Sequence, residues 1–391
     1  MEKKEQNKNE SELNNILNED EYNNVEYEIL DTDFDYQEIT KPFNPNEIDV
    51  DIATVNLGYI IEQLENNEID LQPDFQRSAD VWNSVKKSRL IESILLGLPL
   101  PSFYFSEDPV TKKLSIIDGL QRLCAVHDFI LKAHNKDALR LQGLQFLKNY
   151  EGKTYLELER PEIKRIKSLK ITMNTLRKGT PNEVKFVIFQ RVNTAGEPLT
   201  PQEMRHALNQ GPSALFIKEL ADLESFKQAT NYSISTKRMQ DRDFVNRFIA
   251  FFLGYSEYSG ELDAFLNDKM GELNRMSHER LSYIRQVFDA TMKCCYTIFG
   301  DDTFRRRYDK NDKKKPISKA VFDSLSVNIA WLTNDQRVLL IKNAETFKNG
   351  LIYLFNDKAF NAAISTGTGK KYSVEKRFNS IKELIFNIIN L

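Results

Sequence analysis

Cysteine and histidine are scarce in this chain of 391 residues, with three of the first and four of the second. Cys124, Cys294 and Cys295 all sit in apolar patterns of helical spacing, and two of them are adjacent. That excludes a disulfide framework and a zinc site, and suits a reducing cytoplasm. His127, His134, His206 and His278 are scattered, with no pair at metal-ligand spacing on one helix. No run of about 18 apolar residues exists, so no membrane span is expected. The start, Met1-Glu-Lys-Lys-Glu-Gln-Asn-Lys, leads into no apolar stretch, so no signal peptide is expected either. No internal repeat period stands out. What remains is a cytoplasmic globular chain, long enough for a large core and two domains.

Charge is unevenly spread. Residues 1–50 hold 15 acidic residues against 4 lysines, a net of −11, which leaves 50 basic against 42 acidic residues, or +8, for the rest. Residues 1–48 are Asn- and Glu-rich with little periodicity and read as a disordered acidic tail. Such a tail either solubilises the chain or competes with nucleic acid for the basic body.

The pattern becomes regular beyond the tail. Val55 to Leu64 has helical spacing. Ile69-Asp-Leu-Gln-Pro-Asp-Phe-Gln-Arg77 reads as a short strand entering a Pro-Asp turn. Ser84 to Leu96 is an amphipathic helix with Ser84 as N-cap, stopped by Gly97. Pro99 and Pro101 then enforce an extended link to a strand at Phe103-Tyr-Phe105. Trp82 and Phe103 are core residues or base-stacking platforms. Residues 133–160 give no clear pattern, and Ile166 to Met173 alternates as a strand does. Thr180-Pro starts a helix through Val192, and Thr200-Pro-Gln-Glu203 is a capping box opening another.

The stretch Ser115-Ile-Ile-Asp-Gly-Leu-Gln-Arg-Leu123 organises this half of the chain. It begins apolar and β-branched, breaks at Asp118-Gly119, and resumes with Leu123, Val126, His127 and Ile130 on one helical face. It therefore reads as strand, tight turn, helix. Gly119 lets the backbone turn, and a helix start beside Arg122 suits a phosphate or other anion. Asp118, at the carboxyl end of the strand, could hold a metal, a ribose hydroxyl or the arginine itself.

Beyond Gly211-Pro212 apolar residues recur only at helical spacing, over 213–228, 241–254, 260–273, 278–299, 319–331, 334–355 and 373–390. The fold expected is α+β: an α/β domain over 49–212 followed by an all-α domain over 213–391. Arg305, Arg306 and Arg307 form either a solvated face or a track for DNA phosphates. Ser365-Thr-Gly-Thr-Gly-Lys-Lys371 is a loop, because a phosphate-loop motif would need a glycine near Ile364. Its Lys370 and Lys371 could still touch phosphate.

Gln76-Arg77, Leu90-Ile-Glu-Ser-Ile94 with Pro99-Leu-Pro101, Asp118-Gly-Leu-Gln-Arg122, Phe189-Gln-Arg-Val-Asn193-Thr and Glu203-Met-Arg205 occur in a recognisable order. Over residues 50–210 they resemble the amino-terminal domain of GmrSD-type modification-dependent restriction enzymes, whose fold is similar to ParB and sulfiredoxin. Arg238-Met-Gln-Asp-Arg242 through Phe251 and Arg377-Phe-Asn-Ser-Ile381 resemble the helical part of many members. The family pattern reads Asp-Gly-Gln-Gln-Arg. Here Asp118, Gly119, Gln121 and Arg122 match, and Leu120 stands at the first Gln.

The resemblance implies a nucleoside triphosphate bound with Mg²⁺, hydrolysed, and coupled to recognition of foreign, often modified, DNA. Arg122 and Arg77 would fork the phosphates, and Asp118 would orient the metal or nucleotide. Gln121 would serve the base or the attacking water, with Gln76, Gly119, Asn193 and Arg205 completing the pocket. Arg305, Arg306, Arg307, Lys370 and Lys371 would meet DNA. An HNH nuclease is not expected, since His278 is the one histidine after His206 and no metal-ligand cluster surrounds it. Sulfiredoxin chemistry is not expected either, because its cysteine precedes the motif arginine whereas Cys124 follows Arg122. Two classes stay open: a nucleotide-hydrolysing DNA sensor, or a non-catalytic adaptor acting through a partner nuclease or toxin. A homo-oligomer is compatible with either.

Overall fold

The computed structural model describes residues 25, 26, 28, 49–71, 82–107, 112–177, 180, 200–209 and 211–390. The chain divides into two units, one of residues 39–208 and one that joins residues 1–38 to residues 209–391. The expected α+β class holds, with strands in the first unit and helices throughout the second. No helix among the described residues is long and apolar enough to cross a membrane.

The first unit is built on a five-stranded sheet of order β1-β5-β3-β4-β2. Its strands are β1 (Val50–Asn56), β2 (Ile69–Asp70), β3 (Phe103–Glu107), β4 (Leu114–Asp118) and β5 (Lys170–Leu176). β3 runs antiparallel to β4 and parallel to β5, β1 is antiparallel to β5, and β2 is parallel to β4. The chain therefore leaves β2 on the side of the sheet where β4 ends at Asp118. Helices α1 (Leu57–Glu65), α2 (Ser84–Leu96), α3 (Leu120–Val126), α4 (Arg160–Ser168) and α5 (Pro201–Leu208) complete the unit. α3 continues as a π-helical turn over His127–Leu131.

Two expectations change. Val50 to Asn56, read partly as helix, is an edge strand whose Ile52 stays exposed; its pairing with β5, distant in sequence, outweighs the local helical spacing. Of the stretch Ile166 to Met173 expected as a strand, Ile166–Ser168 closes the helix Arg160–Ser168, which has Pro161 in its first turn, and the strand begins at Lys170. α2 has the expected bounds, but its cap is Asn83, whose side chain accepts from the Lys86 N–H at 2.9 Å. The helix expected from Thr180-Pro through Val192 lies outside the described residues.

The second unit packs α6 (Pro212–Asp222), α7 (Glu224–Ala229), α8 (Gln240–Gly254), α9 (Leu262–Leu273), α10 (His278–Phe299), α11 (Lys319–Ala330), α12 (Asn334–Lys342), α13 (Ala344–Asn356), α14 (Lys358–Ser365) and α15 (Lys371–Ile389). α11 is buried along Ala320–Ala330, and its buried polar side chains are satisfied: Ser324, Ser326 and Asn328 donate to backbone carbonyls and Asp323 pairs with Arg247. Phe248, Phe251, Phe288 and Phe322 lie in one aromatic-rich core with it. Cys294 and Cys295 are buried thiols, and burial pushes the Cys294 thiol up to about 11.

The acidic tail is not wholly without structure. Val25 is buried in the core of this second unit, and Glu26 and Glu28 form ion pairs with its arginines. The expectation of a disordered segment over 1–48 fails at these three residues. Their partners lie far along the chain, where local composition carries no trace of them.

Candidate functional site

The expected strand–turn–helix forms as read. β4 ends at Asp118, Gly119 adopts φ +99°, and α3 begins at Leu120. A Cβ at Gly119 would lie 2.5 Å from Phe103 Cδ1 and 3.1 Å from Arg122 Nη2. Glycine is needed here for the left-handed backbone and for space.

Asp118 and Arg122, one helical turn apart, meet at 2.8 Å between Oδ2 and Nη2. Arg122 Nη1 also donates to the Pro101 carbonyl and Nη2 to the Ser102 carbonyl at 3.2 Å. Its guanidinium carbon lies 4.4 Å from the centre of the buried Phe103 ring. Pro99 and Pro101 hold the entry to β3 extended, so these carbonyls face the arginine. Three of the five guanidinium N–H bonds are thereby used, leaving Nε–H and one on Nη1. Arg122 is thus first a clamp on Asp118 and on the start of β3. Burial raises the Asp118 carboxyl above its ordinary value despite Arg122 and the Gly119 amide, and burial lowers Arg122 despite Asp118. Each charge is desolvated beyond what the pair returns, a condition typical of sites that receive a further charged group.

Gln121 accepts from the Trp82 backbone N–H through Oε1 at 3.3 Å, which ties α3 to the approach of α2. Leu120 is buried. Arg205 is buried in α5, its Nε donating to Gln202 Oε1 at 3.0 Å. α5 rests on the sheet through Met204 against Ile117 and Leu176. The expected capping box is present: Thr200 N–H donates to Glu203 Oε2 at 2.7 Å, and Glu203 N–H to Thr200 Oγ1 at 3.2 Å. Asp118, Gly119 and Arg122 therefore meet at one turn, while Gln121 is tied to the Trp82 backbone. Gln76, Arg77 and Asn193 lie outside the described residues.

Arg305, Arg306 and Arg307 each find acceptors within the second unit. Arg305 donates to the carbonyls of Asp301 and Lys315 and to Ser233 Oγ. Arg306 donates to Ser365 Oγ, the Ile364 carbonyl and Glu26. Arg307 donates to the Asp312 carbonyl and Asp302. The run reads as basic in sequence but is a framework that organises loops. Lys371 is exposed and 3.9 Å from Glu375, and the Lys370 N–H donates to the Gly367 carbonyl.

Sequence reasoning missed several contributors. Phe103 is a core residue that also carries the Arg122 stack. Asn174, buried in β5, donates to the Phe103 carbonyl at 3.4 Å. Glu92 accepts from the backbone N–H groups of Gln145, Phe146 and Leu147 at 2.9, 2.7 and 2.8 Å. Burial pushes its carboxyl up, but these amides win and hold it below its ordinary value. On the turn after α3, Asp128 meets Lys87 and Lys132, each at 2.8 Å, and His127 at 3.4 Å. These partners outweigh burial and keep its carboxyl far below the usual range. An acidic residue inside the Leu90–Ile94 motif was the one available signal for Glu92.

Sheet, turn and half-buried Asp–Arg pair define a mixed α/β domain with an ion-paired joint at the end of a strand. Residues 60–209 of the chain match the family model described as GmrSD restriction endonuclease, N-terminal domain. The first unit is similar to that domain, and the match ends where the second unit begins. No curated protein and no solved structure matches the chain.

Proposed function

We propose that this protein is a nucleotide-binding, NTP-hydrolysing, DNA-sensing component of a restriction-type defence system. The observation that supports it most is the desolvated Asp118–Arg122 pair at the Gly119 turn, inside the segment that matches a restriction-endonuclease domain. Catalysis of this class works by positioning and charge stabilisation, without a covalent nucleophile. Arg122 keeps Asp118 aligned and offers its two remaining N–H groups to a phosphate. Gln121, fixed by Trp82, orients the base or the attacking water, and Arg77 and Asn193 complete the pocket.

Among the described residues no group of three or more His, Cys, Asp or Glu side chains could cage a metal. That fits Mg²⁺, which is commonly held by one or two carboxylates plus the substrate's own phosphates. Asp118 would hold it, and the ion would supply neutralisation of phosphate charge. DNA contact falls to Lys370, Lys371 and other surface cations, since the arginine run is engaged.

A second reading, a non-catalytic adaptor acting through a separate nuclease or toxin, is favoured by Leu120, which is buried where the family pattern carries an amide. A panel of nucleoside triphosphates with Mg²⁺, with and without DNA, separates the two when binding and phosphate release are both measured. Release stimulated by DNA supports the sensor. Binding without release, with hydrolysis gained in Leu120→Gln, supports the adaptor. No binding at millimolar nucleotide removes both nucleotide readings.

A further inference from the structure

The second unit holds Val25, Glu26 and Glu28 of its own chain against a groove of cationic side chains. Val25 pairs with Ile317 as a parallel bridge, and the Glu26 N–H donates to the Ile317 carbonyl at 2.7 Å. Ile317 is bridged on its other side by Arg305. Val25 is buried in the core cluster. Glu26 meets Arg306 at 2.6 Å. Glu28 accepts from Arg247 through both oxygens, at 3.0 and 3.1 Å, and from Thr368 Oγ1 at 3.0 Å.

The sockets are built before the segment is counted. Asp323 holds the opposite edge of Arg247 at 2.6 and 3.0 Å and also meets Arg377 at 3.3 Å. Lys319 meets Asp243 at 2.9 Å and lies close enough to Glu28 to lower its carboxyl. Among the described residues Arg247 and Arg377 meet Asp323, Lys319 meets Asp243 and Arg306 meets Glu26, so these four cations outnumber the two groove aspartates by two. Glu26 and Glu28 cancel it. Arg306 Nε is buried with no acceptor, so the groove retains unused donor capacity.

We propose that this groove is a recognition surface for an extended acidic strand of a partner protein, with the pattern Val-Glu-any-Glu, and that Val25–Glu28 is a tethered internal ligand that such a strand replaces. Backbone pairing to Ile317 and the apolar seat of Val25 fit a polypeptide and offer nothing to a sugar–phosphate chain. Carboxylates at alternate positions of an extended strand lie on one side of it, as the two sockets require. Strand addition with side-chain sockets is a known recognition mode. The groove's chemistry does not depend on whether the first unit binds nucleotide.

The test uses the full chain with a site-specific protease sequence inserted between Glu38 and Asp49. Cleavage frees the segment without altering the groove. A fluorescent peptide of residues 20–32 should then exchange into the cut chain, read by anisotropy. It should bind the uncut chain at least about tenfold more weakly, because a tethered competitor acts at roughly millimolar effective concentration. A peptide carrying Glu26→Ala and Glu28→Ala should bind the cut chain at least about tenfold more weakly than the natural one, since both sockets lose their charged partner. Equal binding of the two peptides, equal binding to cut and uncut chain, or a folded cut chain that takes up neither peptide overturns the proposal. So does unfolding on cleavage, which would make the segment an inseparable part of the core. Displacement of the peptide by a DNA duplex, but not by an unlabelled Val-Glu-any-Glu peptide, would reassign the groove to phosphate.

Discussion

Gly119→Ala tests whether the site depends on close packing at one atom. The new Cβ meets two cost terms. A non-glycine residue in the left-handed region costs about 1–2 kcal/mol. Contacts of 2.5 and 2.9 Å to the Phe103 ring force that buried side chain, or the turn, to move, at about 1–3 kcal/mol. Together the loss is about 2–5 kcal/mol. For a unit of this size each kcal/mol shifts the midpoint by about 2–4 °C, so a fall of roughly 4–20 °C is expected in the transition of the first unit. Gly97→Ala is the control. Gly97 also has positive φ, +74°, but nothing lies within 4 Å of its added Cβ. Its cost should be the backbone term alone, about 1–2 kcal/mol. Because Phe103 carries the Arg122 guanidinium, Gly119→Ala should also weaken nucleotide binding, while Gly97→Ala should not. Differential scanning calorimetry and nucleotide titration on the three proteins read both effects. Equal losses for the two variants would refute the packing argument.

Other consequences follow from buried polar groups. Glu92→Ala removes one acceptor from three backbone amides and should cost about 3–5 kcal/mol in urea unfolding, with Glu92→Gln recovering part of it; a cost near zero would show that water replaces the carboxylate. Asp128 gives a pH dependence. Its folded carboxyl lies below its unfolded value, so the unfolded state binds the extra proton, and the stabilisation is complete above the unfolded value and lost as pH falls through the region below about pH 4. Asp118 and Glu26 are raised and act with the opposite sign, so the wild-type curve mixes them. The difference between wild type and Asp128→Asn isolates the term: it should shrink on acidification, and a constant difference from neutral pH to about pH 3 would contradict the ion-pair account.

Local patterns were legible where neighbours in sequence are neighbours in space. β4, the Gly119 turn, the start of α3, α2 and the Thr200–Glu203 capping box depend on contacts within a few residues, and all were readable. The second unit's helices followed from apolar period, apart from α14, which is short. The strand β1 is not legible, and Val55 and Asn56 at its end carry helical spacing, because its pairing partner, β5, lies more than a hundred positions away. The roles of Pro101, Ser102 and Phe103 depended on a carbonyl-to-guanidinium contact that no residue-type pattern encodes. The acceptors of the three adjacent arginines Arg305 to Arg307, among them loop carbonyls, Asp302 and the distant Glu26, are not legible from the run itself. Val25, Glu26 and Glu28 had the composition of a solvated tail, and the apolar seat of Val25, the backbone bond to Ile317 and the ion pairs to Arg306 and Arg247 explain why they are held.

The most direct test of the central claim is equilibrium binding of a nucleoside triphosphate with Mg²⁺ to wild type and to Arg122→Ala, alongside circular dichroism of both. The claim predicts saturable binding to wild type. It also predicts a loss of about 2–4 kcal/mol, roughly 30- to 1000-fold, in a variant that remains folded. Absence of binding to wild type at millimolar nucleotide, or equal affinity for the two proteins, would contradict it.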